Sequence, residues 1–338
     1  MNKKRVLAML LAGAMALSMT ACGGNSASTD GSSNDGGASA SGGSYKVSVI
    51  LKTLAAEYWQ YVKSGAEDYA SEHSDKVTVE VKGPSSETAF DEMQNMIETD
   101  LSSGSYDGVI ISPLQSDTAA QLVSGTKLPI VAIDTNFTAP EVKSFVGTGN
   151  EAADKKGGEA AVEAAKAAGW TDIKCIEIAG VQGDQTNTAR MNGYKAGVEE
   201  AGGTFLSDEV QYADATADRA TTAMEAIMQT HPEGIAIICA NNDDMAMAAA
   251  RAAQGHDAYK NTIFLGFNGD RAACEAILAG QMTMSVAQMA YEMGYKAVET
   301  MVQVLDGETV DEFVDSGSDV VTPDNAQERL DTLKTQLH

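Results

Sequence analysis

From Tyr45 onward the chain alternates short apolar runs with longer stretches whose apolar residues recur every three or four positions. The short runs are rich in Val and Ile and nearly continuous, as expected of parallel strands covered on both faces. They predict strands at 45–51 (YKVSVIL), 77–83 (VTVEVKG), 107–113 (DGVIISP) and 128–134 (LPIVAID). Helical patterns fill the gaps at 57–70, through Met93 and Ile97, and at 117–123. A second set follows an Ala-rich helix at 151–168: strands at 173–180 (IKCIEIAG), 205–212 (FLSDEVQY), 235–238, 263–268 (IFLGFN) and 282–288 (MTMSVAQ). Its helices fall at 187–201, up to Gln229, up to Gly255, at 271–279 and at 291–305. The tail adds a strand at 319–322 and a short polar helix. Two such arrays predict an α/β protein made of two doubly wound, Rossmann-like domains, with the cleft between them as the default ligand site.

The stretch 235–255 shows the unit most clearly. An apolar run breaks at the polar corner Asn241-Asn242-Asp243-Asp244, and an Ala/Met helix then runs to Gly255. Ligands in such sheets sit outside the carboxyl ends of the strands, so this corner is where a ligand would be read. Taken alone, the corner reads as helix capping, because short Asn and Asp side chains accept the free N–H groups of a first turn.

The chain's 338 residues exceed one ordinary core and fit two domains. Acidic residues outnumber basic ones 48 to 23, for a net charge of −25. A nucleic-acid partner needs a basic footprint, and the sequence has none. At the N-terminus, Lys3, Lys4 and Arg5 precede an apolar stretch at 6–17 that is too short to span a bilayer. Thr20 and Ala21 then lead into Cys22. This resembles a bacterial lipoprotein signal and implies lipidation of Cys22 and attachment to a membrane, although Met19 stands where Leu is usual. Residues 23–44 hold only small and polar types and read as a tether reaching about 25 Å. The remaining Cys175, Cys239 and Cys274 cannot all pair within one chain; Cys175 and Cys239 lie in strand-like runs and read as small buried hydrophobes.

Catalytic and metal signatures are sparse. His73, His231, His256 and His338 are scattered, and neither GxSxG nor GxxxxGK[ST] occurs. A GxGxxA at 147–152 follows a strand-like run, but the next strand ends in Ala179-Gly180 without the acid a dinucleotide site wants. No cofactor and no metal are therefore expected. What remains is a set of residues at strand ends: Lys52, Tyr58, Trp59, Asp134, Arg190, Asn242, Asn268 and Gln288. Aromatic faces, amides, a carboxylate and a guanidinium form a kit for gripping a polyol. Rings stack on C–H faces, and planar polar groups take hydroxyls in pairs. Singly, each residue is as well explained as core, cap or surface ion pair.

The segments KTLAAEYW, PIVAID, FVGTGN, TARMNGY, CANNDDMAM, LGFNGD and AGQMTMSVAQ, in this order, resemble the type I periplasmic binding proteins, above all the ribose- and allose-binding kind that serve ABC importers. The resemblance covers Tyr45 to about Gly307. It implies two lobes joined by three crossovers, here 45–148 plus 289–316 and 149–288 plus 317–338, acting as a monomer that closes on one sugar and hands it to a permease. It further implies that Lys52 reaches the sugar and that Tyr58 and Trp59 stack on one face. Asp134 and Arg190 would grip neighbouring hydroxyls, and Asn242 and Gln288 would complete the set. Two departures stand out: Asn268 replaces a carboxylate, and Ala215 stands where an aromatic often covers the other face. LacI-type repressors share the domain pair, but this chain has an export-type segment where they carry a DNA-binding motif. A second reading is a ligand sensor that hands its closed form to a kinase or chemoreceptor. A third, a glycosidase, needs two facing carboxylates about 5 to 9 Å apart, and only Asp134 is placed.

Overall fold

The computed structural model describes residues 44–337. The basic and apolar N-terminal stretches, Cys22, residues 23–43 of the tether and His338 lie outside the described residues. The chain opens with β1 (Tyr45–Ile50), α1 (Glu57–Glu72), β2 (Val77–Lys82), α2 (Phe90–Ser103), β3 (Gly108–Ile111), α3 (Ser116–Val123), β4 (Ile130–Ile133) and β5 (Val142–Gly147). It continues with α4 (Asn150–Ala167), β6 (Lys174–Ala179), α5 (Gln185–Glu200), β7 (Thr204–Phe205), β8 (Gln211–Tyr212), α6 (Ala217–Thr230), β9 (Ile237–Ala240) and α7 (Asp243–Ala253). The last elements are β10 (Ile263–Asn268), α8 (Arg271–Leu278), β11 (Met284–Gln288), α9 (Ala290–Leu305), β12 (Phe313–Asp315), β13 (Ser318–Val321) and α10 (Ala326–Gln336).

These strands form two sheets. One has the order β12-β5-β4-β3-β1-β2; the other has the order β13-β11-β10-β9-β6-β7, with β8 beside β6. All pairings are parallel except β11 with β13. The chain passes between the sheets three times: from β5 to α4, from β11 to α9 and from β12 to β13. The first two passages hand each lobe a helix from the far side of the crossover. Thus α9 packs on α1, β4 and β5, while α4 packs on α5, β10 and β11. Every residue of β3, β4 and β9 is buried, which is why their sequence runs are continuously apolar. The α1–α9 contact is close enough to demand glycine. A Cβ on Gly65 would fall 1.9 Å from the Tyr291 carbonyl oxygen, and one on Gly294 would fall 1.9 Å from that of Val62.

Three expectations need correction. The 205–212 run is not one strand but two two-residue pieces, β7 and β8, separated by a 3₁₀ turn at Ser207–Glu209. Ser, Asp and Glu in a row offer local hydrogen bonding rather than a face to bury, and Tyr212 ends up 42% exposed. The tail strand starts one residue early, at Ser318, and a further edge strand, β12, was not foreseen. Its Phe313 is exposed and stacks on Phe145 at the sheet margin, so it leaves no buried run to read. The glycines of the GxGxxA stretch lie at the β5–α4 passage between the lobes, and Asn150 there turns its side chain to Arg190. Cys175 and Cys239 are free and fully buried with Sγ atoms 3.2 Å apart, and Cys274 is also free and buried.

Candidate ligand-binding cleft

The carboxyl ends of both sheets face a shared cavity of about 470 Å³. All eight residues singled out from the sequence line it: Lys52, Tyr58, Trp59 and Asp134 from the first lobe, Arg190, Asn242, Asn268 and Gln288 from the second. The volume lies in the range of ordinary small-molecule sites.

The first lobe builds its side from β1, the start of α1 and the end of β4. Tyr58 donates its hydroxyl to Asp134 Oδ1 at 2.8 Å, and Thr135 donates to Asp134 Oδ2 at 2.8 Å. The Trp59 ring lies edge-on to Tyr58, and its indole N–H donates to Glu87 Oε1 at 2.9 Å. Trp59 is also part of the lobe's hydrophobic core, so it serves as core and as cavity wall together. Lys52 is not a free cation. Its Nζ lies 3.1 Å from Asp184 Oδ2 and 4.0 Å from Asp134 Oδ2, both across nearly dry surroundings. Burial by itself would push the Lys52 ammonium down; Asp184, Asp134 and Glu87 outweigh it and hold the pKa above the usual lysine value. Burial likewise opposes Asp184, but Lys52 and the Asn187 N–H hold its carboxyl below the usual range.

On the second lobe, Arg190 stacks on Phe267 at 3.7 Å from the ring centroid, donates Nε to Asn150 Oδ1 and Nη1 to the Asn241 carbonyl, each at 2.9 Å. Nη2 has no hydrogen-bond partner among the described residues, and Arg190 lines the cavity. Asn187 Oδ1 accepts from the Gly180 N–H at 2.6 Å and from Asn241 Nδ2 at 2.9 Å, tying two strand-end corners together. Asn242 is the N-cap of α7: its Oδ1 accepts from the Met245 N–H at 2.9 Å and its Nδ2 donates to the Ala215 carbonyl at 3.2 Å. The capping explanation of Asn242 thus holds, and only its remaining N–H is left for a ligand. Gln288 Nε2 donates to Asn268 Oδ1 at 3.0 Å, which leaves Nδ2 as the free group of Asn268.

The two sides are in contact across the cleft. Besides the pair of Lys52 with Asp184, Thr135 Oγ1 meets Thr186 Oγ1 at 2.9 Å and Arg271 Nε lies 3.3 Å from Glu57 Oε1. Among the described residues, the non-glycine residues with positive φ are Asp134 (φ 62°), Asp214 (47°), Ala215 (58°) and Asn268 (136°), and all four line the cavity. Each such residue costs about 1–3 kcal/mol and persists only where its surroundings hold it.

Asp134, the one carboxylate placed from the sequence, is not alone in the cleft. Glu57, Glu87, Asp184, Asp214, Asp244 and Asp270 also line the cavity, against the two cations Lys52 and Arg190. Asp184 was hidden in the same GDQTN corner that flags Arg190, because an N-cap Asp looks structural in sequence, and it does cap α5. Glu87 lies in a polar loop with no periodicity to mark it. Asp243, next to the foreseen Asn242, is fully buried below the site. It accepts the Gly269 and Asp270 N–H groups at 2.8 and 3.2 Å and the Ser285 hydroxyl at 2.6 Å, and burial raises its pKa well above the carboxylate range.

The fold and the cleft define a two-lobed protein built to enclose a small ligand. Residues 47–309 match the periplasmic binding protein domain family, and the chain belongs to it. The chain is 30% identical over 264 residues to the D-allose-binding periplasmic protein of Escherichia coli (strain K12), covering 75% of this chain and 82% of that one. It is 27% identical over 268 residues to the ribose import binding protein RbsB of the same organism, with 78% and 86% covered. An ABC transporter solute-binding protein from Agrobacterium vitis with bound D-fucose shares the fold at a TM-score of 0.73 and 24% identity, covering 87% of this chain and 100% of that one. Proteins of this family bind substrates for transport and work outside the cytoplasm; the chain is not an enzyme. Family membership, and not a shortage of carboxylates, excludes the glycosidase reading.

Proposed function

We propose that this protein captures a neutral monosaccharide or cyclic polyol between its lobes and delivers it to an ABC permease. The observation that carries the reading is that Tyr58, Trp59 and Asp134 line one cavity together with Arg190, Asn268 and Gln288. Hydroxyls need both donors and acceptors, and the cavity offers carboxylate and amide oxygens beside guanidinium and amide N–H groups. The names of the relatives, which speak of allose and ribose, point the same way. An acidic sugar fits poorly. The carboxylates around Lys52 already neutralise it, and the excess of acids repels an anion.

Closure follows from the lobes' arrangement as 45–148 plus 289–316 and 149–288 plus 317–338. Contacts such as Lys52 with Asp184 exist only when the lobes meet, so a ligand that adds more of them shifts the balance toward the closed form. The protein acts as a monomer held to a membrane through lipid on Cys22. A thermal-shift screen over pentoses, hexoses, inositols and uronic acids tests the reading. A neutral polyol at a hundred times its dissociation constant adds about 2.7 kcal/mol of stability. If only uronic acids stabilise the protein, the ligand class is wrong.

A further inference from the structure

The corner that presents Asn268 is held in an unusual way. Asn268 and Gly269 both take positive φ, 136° and 63°, and a Cβ on Gly269 would fall 2.3 Å from the Ala287 Cβ on the next strand. Such backbone keeps its shape only when neighbours fix it. From inside the lobe, the Gly269 N–H donates to Asp243 Oδ2 at 2.8 Å and to Ser285 Oγ at 3.0 Å. From the other side comes Arg329, on α10. Its Nε donates to the Gly269 carbonyl at 3.1 Å, its Nη2 to the Gln288 carbonyl at 2.7 Å, and its Nη1 meets the Met289 thioether at 3.2 Å.

We propose that Arg329 is a positioning residue for the ligand cleft, a guanidinium that sets the Asn268–Gln288 pair and the adjoining lobe crossover by bridging the ends of β10 and β11. The hydrogen bonds close a ring. Arg329 holds the Gly269 carbonyl next to Asn268 and the Gln288 carbonyl, and the Gln288 side chain in turn donates to Asn268 at 3.0 Å. Met289 is the last residue before α9, where the chain returns to the first lobe, so the same guanidinium grips the hinge. The helix that carries it is anchored on α8 and buries Ala326, Leu330 and Leu333. A planar fork can serve two carbonyls at once, whereas a lysine offers one point charge. Arg329 lies beyond residues 47–309, the stretch shared with the family. The inference rests on the reading of Asn268 and Gln288 as ligand contacts.

The test uses the full chain with Arg329→Met and Arg329→Lys. Hydrogen exchange on the unliganded protein reads the corner directly, and calorimetry with D-allose, D-ribose and myo-inositol as probes reads its consequence. In Arg329→Met the Gly269 and Asp270 amides exchange at least tenfold faster while the amides of β9 keep their protection. Affinity for a probe that binds the parent falls at least tenfold, and adding Gln288→Ala to Arg329→Met costs less than Gln288→Ala costs alone. Arg329→Lys shows the same selective loss, smaller in size, and carries the comparison if the Met variant does not fold. The proposal is overturned if exchange at Gly269 and Asp270 is unchanged, if it rises evenly across the sheet, or if the effects of Arg329→Met and Gln288→Ala multiply independently. Failure of all three probes to bind the parent would count against the polyol reading instead, and the exchange result would still decide the positioning role.

Discussion

Asn268→Asp probes the feature by which this cleft departs most from the pattern it resembles. In the parent, Asn268 Oδ1 is occupied by Gln288 Nε2 at 3.0 Å, so the group offered to the ligand is the Nδ2 donor. It should meet an acceptor oxygen of the sugar. A carboxylate keeps the bond from Gln288 but has nothing to donate. A ring oxygen, or a hydroxyl whose proton is already given elsewhere, is then left unpaired in a closed cleft, at a cost of about 1–3 kcal/mol, or roughly 5- to 150-fold in affinity. The new charge would also join a wall that already holds Asp134, Asp184 and Asp270. Burial pushes the Asp270 carboxyl nearby up to about 6, with Asp244 and Glu57 adding to the rise. Calorimetric titration of parent and variant with the same neutral polyols at pH 7 measures the difference, and melting temperatures without ligand separate folding from binding. Equal affinities for every polyol would refute the reasoning and reduce Asn268 to a residue kept for its backbone corner.

Other perturbations have equally definite outcomes. Trp59→Ala removes a ring that is both core and cavity wall, so the melting temperature falls, and the protein that stays folded binds its polyol more weakly by about 1–3 kcal/mol; parent-like affinity in the folded fraction would show the ring to be core alone. Asp184→Asn breaks the cross-cleft ion pair with Lys52 and weakens binding by about 1–3 kcal/mol, and X-ray scattering should show a more open unliganded form. Glu177 is fully buried, with no hydrogen-bond partner among the described residues, and burial pushes its pKa up to about 8. Its folded pKa exceeds the unfolded value near 4.5, so the native state binds the extra proton and stability falls as pH rises from about 4.5 to 8, by up to about 1.4 kcal/mol per pH unit. Glu177→Gln should flatten that decline in a melting series from pH 5 to 8.5; an unchanged slope would assign it to other groups. Cys22→Ser should release the exported protein from the membrane, and a variant that stays equally bound would remove the lipid anchor.

The two-sheet architecture was legible because buried parallel strands leave continuous Val/Ile runs, and the strand-end polar residues followed from where such sheets place their ligands. Long edge strands such as β2 were legible, but the short pieces were not: β12 exposes Phe313, and β7 and β8 are two residues each, with Phe205 as their one buried side chain. In the cleft, the types of residue were readable but their commitments were not. Nothing in the sequence shows that Lys52 is tied to Asp184 132 positions away, that Asn242 spends its oxygen on a cap, or that Gln288 orients Asn268. Arg329 was invisible for the same reason: it acts on main-chain carbonyls, and no motif records a carbonyl.

The most direct test of the central claim is an isothermal titration of the purified protein and its Asp134→Ala variant with a panel of neutral monosaccharides, inositols and uronic acids. Asp134 lines the cavity, accepts one bond at each oxygen from Tyr58 and Thr135, and as a carboxylate keeps further acceptor capacity for sugar hydroxyls. At least one neutral polyol should bind the parent at one site per chain, with uronic acids weaker or silent, and Asp134→Ala should abolish that binding while the variant remains folded. If no neutral polyol binds, or if the variant binds as the parent does, the cleft is not a polyol site and the account fails.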